Sequence, residues 1–184
     1  MKDPARKGPT FKLTERRSSV ADTMTNLAEA FAGESQANRK YLAFAKKAEE
    51  EGLPQVAKRF RVAAASETVH AHEHLKVMGE LKDTAANLAA SIGGENHEHT
   101  AMYPEFMEIA VKEDNEDARF SFFAANEAEK FHEKMFSEAA EKMADLPESR
   151  FFVCQVCGMT YEHDTPDACV VCSAPKSRIV EFTE

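Results

Sequence analysis

The most constraining feature of this 184-residue sequence is an internal repeat. GESQANRKY at 33–41 is echoed by GENHEHTAMY at 94–103, and FRVAAASETVHAHE at 60–73 is echoed by FSFFAANEAEKFHE at 120–133. Each copy is long enough for two helices, and a two-helix unit on its own leaves its apolar face uncovered. The duplication therefore predicts an all-α four-helix bundle with a pseudo-twofold axis.

Apolar residues recur at three- and four-residue steps through most of the chain, which is the periodicity of amphipathic helices. In chain order, we expect helices over about 20–51, 54–82, 84–112 and 115–145. Pro54 suits the first position of the second helix. Asp83 is expected to cap the third helix, Gly93-Gly94 to interrupt it, and Pro104 to kink it.

A change of composition near residue 147 predicts a second, smaller domain. Phe151-Phe152-Val153 and Ile179-Val180-Glu181-Phe182 are typical of short β-strands, and all four cysteines lie among them. We expect a flexible arm at 1–19, the helical bundle at 20–146, a linker at 147–150 and a β-rich metal-binding domain at 151–184.

Overall composition argues against nucleic-acid and membrane partners. The net charge is −9 and the isoelectric point is near 5.3, whereas a nucleic-acid-binding domain needs a basic face. No apolar run approaches the roughly 18 residues of a membrane span. The polar N-terminal sequence lacks the apolar core of a secretory signal, so we expect a cytoplasmic protein.

Both repeats carry carboxylates and a histidine at matching positions. Glu67 and His70 form one Glu-x-x-His sequence, Glu129 and His132 form the other, and a spacing of three places both side chains on one helix face. Upstream carboxylates follow a glycine in each repeat: Glu34 in the first, and Glu95 with Glu98 one turn later in the second. Four facing helices would bring all seven side chains to one level of the bundle.

Apolar neighbours flank these side chains, so unpaired carboxylates there would cost several kcal/mol or become protonated. Two cations remove that cost, and oxygen-rich ligands with one imidazole per metal favour iron or manganese. One Glu from each of two helices with Glu-x-x-His from each of two others is the general pattern of ferritin-like di-iron bundles. A lone Glu-x-x-His arises easily by chance, but two copies in register do not. His72, His74, His97 and His99 are expected to point away from this centre.

The cysteines form two C-x-x-C pairs, Cys154 with Cys157 and Cys169 with Cys172. Two such turns present four thiolates in a tetrahedron, which selects iron or zinc. Spacing does not choose between them, and a structural zinc ribbon is the alternative. About 35 residues cannot bury enough core to fold alone, so the metal would hold this domain together.

From about residue 20 to 184, the sequence resembles the rubrerythrin family, in which a ferritin-like di-iron domain precedes a rubredoxin-like domain. The motifs that carry the resemblance are AFAGESQANRKY, SETVHAHEHL, GENHEH with AMYPEF, EAEKFHEKMF, and the tail CQVCGMTYE with CVVCSAPK. Val170 and Met159 depart from the usual tail, where a proline and an aromatic residue are common. Neither is a ligand, so they leave the site intact and its reduction potential open.

The resemblance implies specific roles for these residues. Glu34, Glu67, His70, Glu95, Glu98, Glu129 and His132 would be ligands of two non-haem irons, and Cys154, Cys157, Cys169 and Cys172 would hold a single iron, with zinc as a possible substitute. Tyr41 and Tyr103 match tyrosines just outside the family's di-iron ligands. Glu98 and His70 would compete for one iron as its oxidation state changes.

The activity implied is reduction of hydrogen peroxide to water in oxidative-stress defence. Electrons would reach the bundle through the rubredoxin-type iron, from a separate reductase or rubredoxin linked to NAD(P)H. The alternatives are an iron-storage bundle with a structural zinc-ribbon tail and a bundle whose zinc-ribbon tail is a docking module.

The short connection between the two repeats suggests a homodimer. Only twelve residues separate Lys82 from Glu95, and as helix they rise about 18–20 Å, roughly half of what a crossover and re-entry to mid-bundle need. We therefore hypothesise that the chain exchanges its second helix pair with another subunit. An up-down-up-down bundle within one chain is the alternative.

Overall fold

The computed structural model describes residues 22–183, so the arm predicted at 1–19 lies outside the described residues. The described part contains five α-helices: α1 (Thr23–Glu50), α2 (Pro54–Val77), α3 (Thr84–His97), α4 (Tyr103–Lys112) and α5 (Glu116–Lys142). The chain divides into two compact units, with the boundary in the sequence between Leu81 and Lys82. Among the described helices, none is long and apolar enough to cross a membrane.

The first unit is the antiparallel pair of α1 and α2. Asp22 caps α1 by accepting a hydrogen bond from the Thr25 amide at 2.8 Å. The tight connection uses Gly52 at φ 74°, a left-handed conformation that favours glycine, and Pro54 then opens α2 as predicted. Small buried residues, among them Ala45 and Ala57, let the two helices pack closely.

The second unit contains α3, α4 and α5, and both α3 and α4 pack along α5. Asp83 caps α3 through the Ala86 amide at 2.9 Å, as predicted. The expected interruption at Gly93-Gly94 is wrong, because α3 continues through both glycines to His97.

The third helical segment is instead modified at Glu98–Met102, which forms a π-helical turn. The Tyr103 amide donates to the carbonyl of Glu98, five residues earlier. Pro104 follows and has no amide to donate, so the α-helical hydrogen-bond ladder cannot continue unbroken there. The helix distortion predicted at Pro104 therefore takes the form of a wider turn just before it.

The C-terminal module is a small antiparallel sheet in the order β2-β1-β3, formed by β1 (Phe151–Cys154), β2 (Thr160–Glu162) and β3 (Ile179–Glu181). Sequence periodicity predicted β1 and β3 but not the three-residue β2. The module's core contains Cys154, Cys169 and Ile179. Long helices followed by this small β-rich domain confirm the predicted fold class.

Candidate metal centres

The first unit brings three predicted ligands together, and we call Glu34, Glu67 and His70 the first half-site. Their ligand atoms all lie within 4.8 Å of one another. His70 Nδ1 is 2.8 Å from Glu67 Oε2 and 3.9 Å from Glu34 Oε1. Spacing on α2 places Glu67 and His70 one turn apart, while α1 supplies the second carboxylate.

The second unit repeats this arrangement, and we call Glu95, Glu129 and His132 the second half-site. Their ligand atoms also lie within 4.8 Å of one another. His132 Nδ1 is 2.6 Å from Glu129 Oε2 and 3.7 Å from Glu95 Oε2. The same three residue types thus meet in each half of the duplicated sequence.

The second half-site has the electrostatics of a cation site. Burial and then the neighbouring Glu129 carboxylate raise the pKa of Glu95 to about 7. Within the described residues, the buried Oε2 of Glu95 has no hydrogen-bond partner. Since a buried, unpaired carboxylate oxygen is costly, a metal ion next to it satisfies both observations.

Glu98 lies in the π-helical turn and outside the three-residue cluster of the second half-site. Its negative charge nevertheless raises the pKa of Glu95, after the larger effects of burial and Glu129. The carboxylate therefore lies close to the half-site, and its assignment as a ligand stays a prediction.

Matching aromatic clusters accompany the two half-sites. Tyr41, Phe44 and Phe60 contact one another with ring centroids 5.6–6.5 Å apart, and Tyr103, Phe106 and Phe122 do so at 5.4–6.3 Å. Burial, followed by the charges of Glu129, Glu98 and Glu95, raises the pKa of Tyr103. Tyr103 therefore keeps its proton at neutral pH beside these carboxylates.

Two contacts next to the second half-site were not predicted from the sequence. His99, expected to point away, has its Nε2 2.5 Å from Glu133 Oε2, and Asn96 donates to the other oxygen of Glu133 at 3.0 Å. His132 Nε2 lies 3.1 Å from the hydroxyl of Thr160 in β2. No local pattern indicated either contact, because each joins residues far apart in the sequence.

The four cysteines converge in the C-terminal module. Cys154 Sγ is 3.6 Å from Cys172 Sγ, Cys157 Sγ is 3.5 Å from Cys169 Sγ, and all four sulfurs lie within 4.8 Å of one another. A tetrahedron with metal–sulfur bonds of about 2.3 Å has edges of about 3.8 Å, so a single ion fits this cluster. Gly158 at φ 81° permits the tight turn after Cys157.

Hydrogen bonds favour a thiolate at Cys169. Burial raises its pKa, but the Tyr161 hydroxyl, which donates to Cys169 Sγ at 3.2 Å, and nearby backbone amides outweigh burial and lower the pKa to about 6. Burial raises the pKa of Cys157. Four thiols cannot all ionise this close together without a cation, which is the chemistry of a metal-binding cluster.

Duplicated carboxylate–histidine clusters on helices, followed by a four-cysteine module, define a two-part metal-binding protein. Comparison with known proteins gives the family. The Rubrerythrin family model matches residues 25–140. The chain belongs to the rubrerythrin family, whose members are di-iron oxidoreductases, and it carries candidate ligands for two non-haem irons and for one rubredoxin-type iron.

Individual relatives cover nearly the whole chain. Rubrerythrin of Nitratidesulfovibrio vulgaris (strain Hildenborough) is 36% identical over 84% of this chain and 91% of its own length. Rubrerythrin-2 of Clostridium acetobutylicum is 33% identical over 89% of this chain and all of its own. A solved structure of nigerythrin in a mixed-valent state has a TM-score of 0.52 at 30% identity, covering 92% of this chain and 91% of that one.

Proposed function

We propose that this chain is a peroxidase that reduces hydrogen peroxide to two water molecules, taking up two electrons and two protons. The observation that carries the proposal is the paired Glu, Glu and His half-sites, one of which holds a buried carboxylate oxygen without a partner. The activity would serve oxidative-stress defence. We place it in the cytoplasm, because clustered cysteine pairs that can bind a metal are typical of a reducing compartment.

We propose that residues 20–146 work as one di-iron domain, joined by 147–150 to a rubredoxin-like domain at 151–184. The ligands of the two irons would be Glu34, Glu67, His70, Glu95, Glu98, Glu129 and His132, and those of the single iron would be Cys154, Cys157, Cys169 and Cys172. When bound, two ferrous ions supply the two electrons that peroxide needs, one each.

The chain's own side chains would prepare this site in three ways. The carboxylates neutralise the metal charge, and Glu98 and His70 would exchange as ligands when the charge changes. Tyr103, whose pKa is raised by burial and by the carboxylates around it, stays a hydrogen-bond donor. Tyr41 occupies the matching position of the first repeat, in contact with Phe60.

Electrons would come from a separate reductase or rubredoxin linked to NAD(P)H and would enter at the cysteine cluster. Val156 and Val170 are exposed apolar residues of the two cysteine turns, at 53% and 72%. Small exposed apolar patches beside a metal centre suit brief contact with a donor protein.

We propose that the protein is a homodimer that exchanges helix pairs. The first half-site of one chain would then complete a centre with the second half-site of the other. The support is the short connection, since α2 ends at Val77 and α3 already begins at Thr84. A structure of the assembled protein with all seven ligands of one centre on one chain would refute the exchange.

Glu67→Ala tests the peroxidase proposal. Anaerobically reduced protein is mixed with hydrogen peroxide, and we expect peroxide consumption to fall at least about 100-fold because a ligand is lost. The red colour of the ferric four-cysteine site should remain. Glu29→Ala, an exposed carboxylate on α1, is the matched control and should behave as wild type.

Two results would contradict the proposal. One is normal peroxide turnover by Glu67→Ala, and the other is metal analysis that finds nothing bound outside the cysteine cluster. A colourless, zinc-loaded tail with iron in the bundle and no peroxide turnover would favour the storage alternative.

A further inference from the structure

The second half-site has a direct contact with the C-terminal module. Thr160, the first residue of β2, is only 8% exposed, and its Oγ1 lies 3.1 Å from His132 Nε2. The two residues are separated by 28 positions in the sequence, and they lie in the same compact unit. Because buried polar groups are normally hydrogen-bonded to a specific partner, we treat the contact of the Thr160 hydroxyl with His132 as a specific one.

The direction of this hydrogen bond follows from the second contact of Thr160. Its hydroxyl donates to the Gly158 carbonyl at 3.4 Å, so the oxygen lone pair is free to accept from the imidazole. Donation from Nε2 keeps a proton on that nitrogen, which leaves Nδ1 as the nitrogen that can present a lone pair to a cation in place of its hydrogen bond with Glu129. Nδ1 is the atom that faces Glu129 and Glu95, at 2.6 and 3.7 Å.

We propose that Thr160 is a positioning residue for His132, and that its hydrogen bond joins the cysteine cluster to the second half-site. The bonded path runs from Cys157 along the backbone of Gly158 and Met159 to Thr160, and then through Oγ1 to the imidazole. This inference rests on the proposed function, because it concerns how His132 is oriented in that same site and how electrons arrive there.

The step that crosses this path is a single electron transfer. With iron bound, Cys154, Cys157, Cys169 and Cys172 would hold the donor, which would go from ferrous to ferric, and Glu95, Glu129 and His132 would hold the acceptor, which would go from ferric to ferrous. No atom or proton moves along the path, and the electron-donor protein restores the ferrous cysteine site. Two such transfers supply the electrons for one peroxide.

The first measurement tests positioning without turnover. Full-length protein with iron in the cysteine cluster and chelator-emptied carboxylate sites is titrated with Co²⁺. Thr160→Val keeps the side-chain shape but removes the hydroxyl, and we expect a 10- to 100-fold loss of affinity at the site that includes His132. Thr160→Ser restores the hydroxyl and should recover affinity to within about 3-fold of wild type.

The second measurement tests the connection. Fully reduced protein is mixed with hydrogen peroxide in a stopped-flow instrument, and the ferric cysteine-site absorbance reports oxidation of that iron. Thr160→Val should slow this phase at least about 10-fold, and Thr160→Ser should restore it. Thr183→Val, at an exposed position of the same module, is the matched control. Thermal unfolding checks that each variant keeps its fold.

The outcomes separate this inference from the proposed function. If wild-type cysteine iron is not oxidised on adding peroxide, the proposed function fails. If it is oxidised, and Thr160→Val matches wild type in either measurement, the inference is overturned. Failure of Thr160→Ser to restore both properties would also overturn it, because shape rather than the hydroxyl would then be responsible.

Discussion

The two helix pairs hold the same three ligand types but support them differently. In the first pair, the side chain of Asn38, four residues after Glu34, is buried and donates to the Ala64 carbonyl at 2.7 Å and to Thr68 at 2.8 Å. In the second pair, the residue four after Glu95 is His99, which contacts Glu133. Duplication thus preserved the candidate ligands while the neighbouring contacts diverged.

The second difference lies in what surrounds the two histidines. The side chain of His70 is 51% exposed, whereas that of His132 is 27% exposed and contacts Thr160 of the C-terminal module. The second pair also contains the π-helical turn with its additional carboxylate, Glu98. One half of the repeat is therefore specialised for contact with the cysteine module.

The largest expected effect comes from removing the metal of the C-terminal module, which should unfold the module but leave the first helix pair intact. Cys154→Ser removes a sulfur that is 1% exposed, and the module should unfold because its small core depends on the ion. Amide hydrogen exchange should show complete loss of protection in β1 and β2, while α1 and α2 stay protected. Val170→Ala, at an exposed position, is the control. Retained protection in Cys154→Ser would contradict a metal-dependent fold.

Asn38→Ala tests how much the hydrogen bonds of Asn38 stabilise the first helix pair. One buried and one partly buried hydrogen bond are lost and a small cavity remains, so the free energy of unfolding should fall by about 2–3 kcal/mol. Urea unfolding of the metal-free protein measures this change. Gln36→Ala, exposed on the same helix, should stay within about 0.5 kcal/mol of wild type. Equal effects of both substitutions would show that Asn38 does not hold the pair together.

Glu95→Gln tests the electrostatics of the second pair. The folded pKa is raised from 4.5 to about 7, so between these values the folded metal-free chain holds a proton that the unfolded chain has released. This carboxyl therefore makes the free energy of unfolding decrease as pH rises from about 4.5 to about 7. Neutral glutamine removes that decrease and should be more stable than wild type at pH 8 by about 2 kcal/mol.

The measurement is denaturant unfolding of metal-free wild type and Glu95→Gln at pH 5, 6, 7 and 8. Glu108→Gln, whose parent side chain is 75% exposed, serves as the control and should follow the wild-type curve. If the free energy of unfolding depends on pH in the same way for wild type and Glu95→Gln, Glu95 does not bind a proton between pH 5 and pH 8.

The smallest expected effect concerns a helix end away from the ligands. Asp83→Ala removes the side-chain acceptor for the Ala86 amide, which should lower the free energy of unfolding by about 1 kcal/mol. Asp83→Asn keeps the acceptor and should lower the free energy of unfolding by only a few tenths of a kcal/mol. Co²⁺ affinity should not change in either variant, and a change would mean that the α3 end and the half-site are coupled.

Much of the fold and of the site followed from local sequence patterns. The helix breaks around Pro54, the cap at Asp83 and the cysteine turns depend on neighbouring residues, so short-range chemistry is enough to predict them. Pro104 marked the distortion of the third segment, but the interruption expected at Gly93-Gly94 was wrong. Gly93-Gly94 lowers helix propensity but stays helical, because packing against α5 outweighs an intrinsic cost of about 1 kcal/mol per glycine.

The sequence by itself determined that each repeat places one carboxylate and one imidazole on the same helix face, and the packing of a second helix adds the other carboxylate. Helical periodicity depends on residues close together in the chain, so it can be recognised from the sequence alone. Only the tertiary structure decided that His99 contacts Glu133 and that Thr160 contacts His132. Those contacts join residues more than 25 positions apart, and their distance depends on how whole elements pack rather than on any local preference.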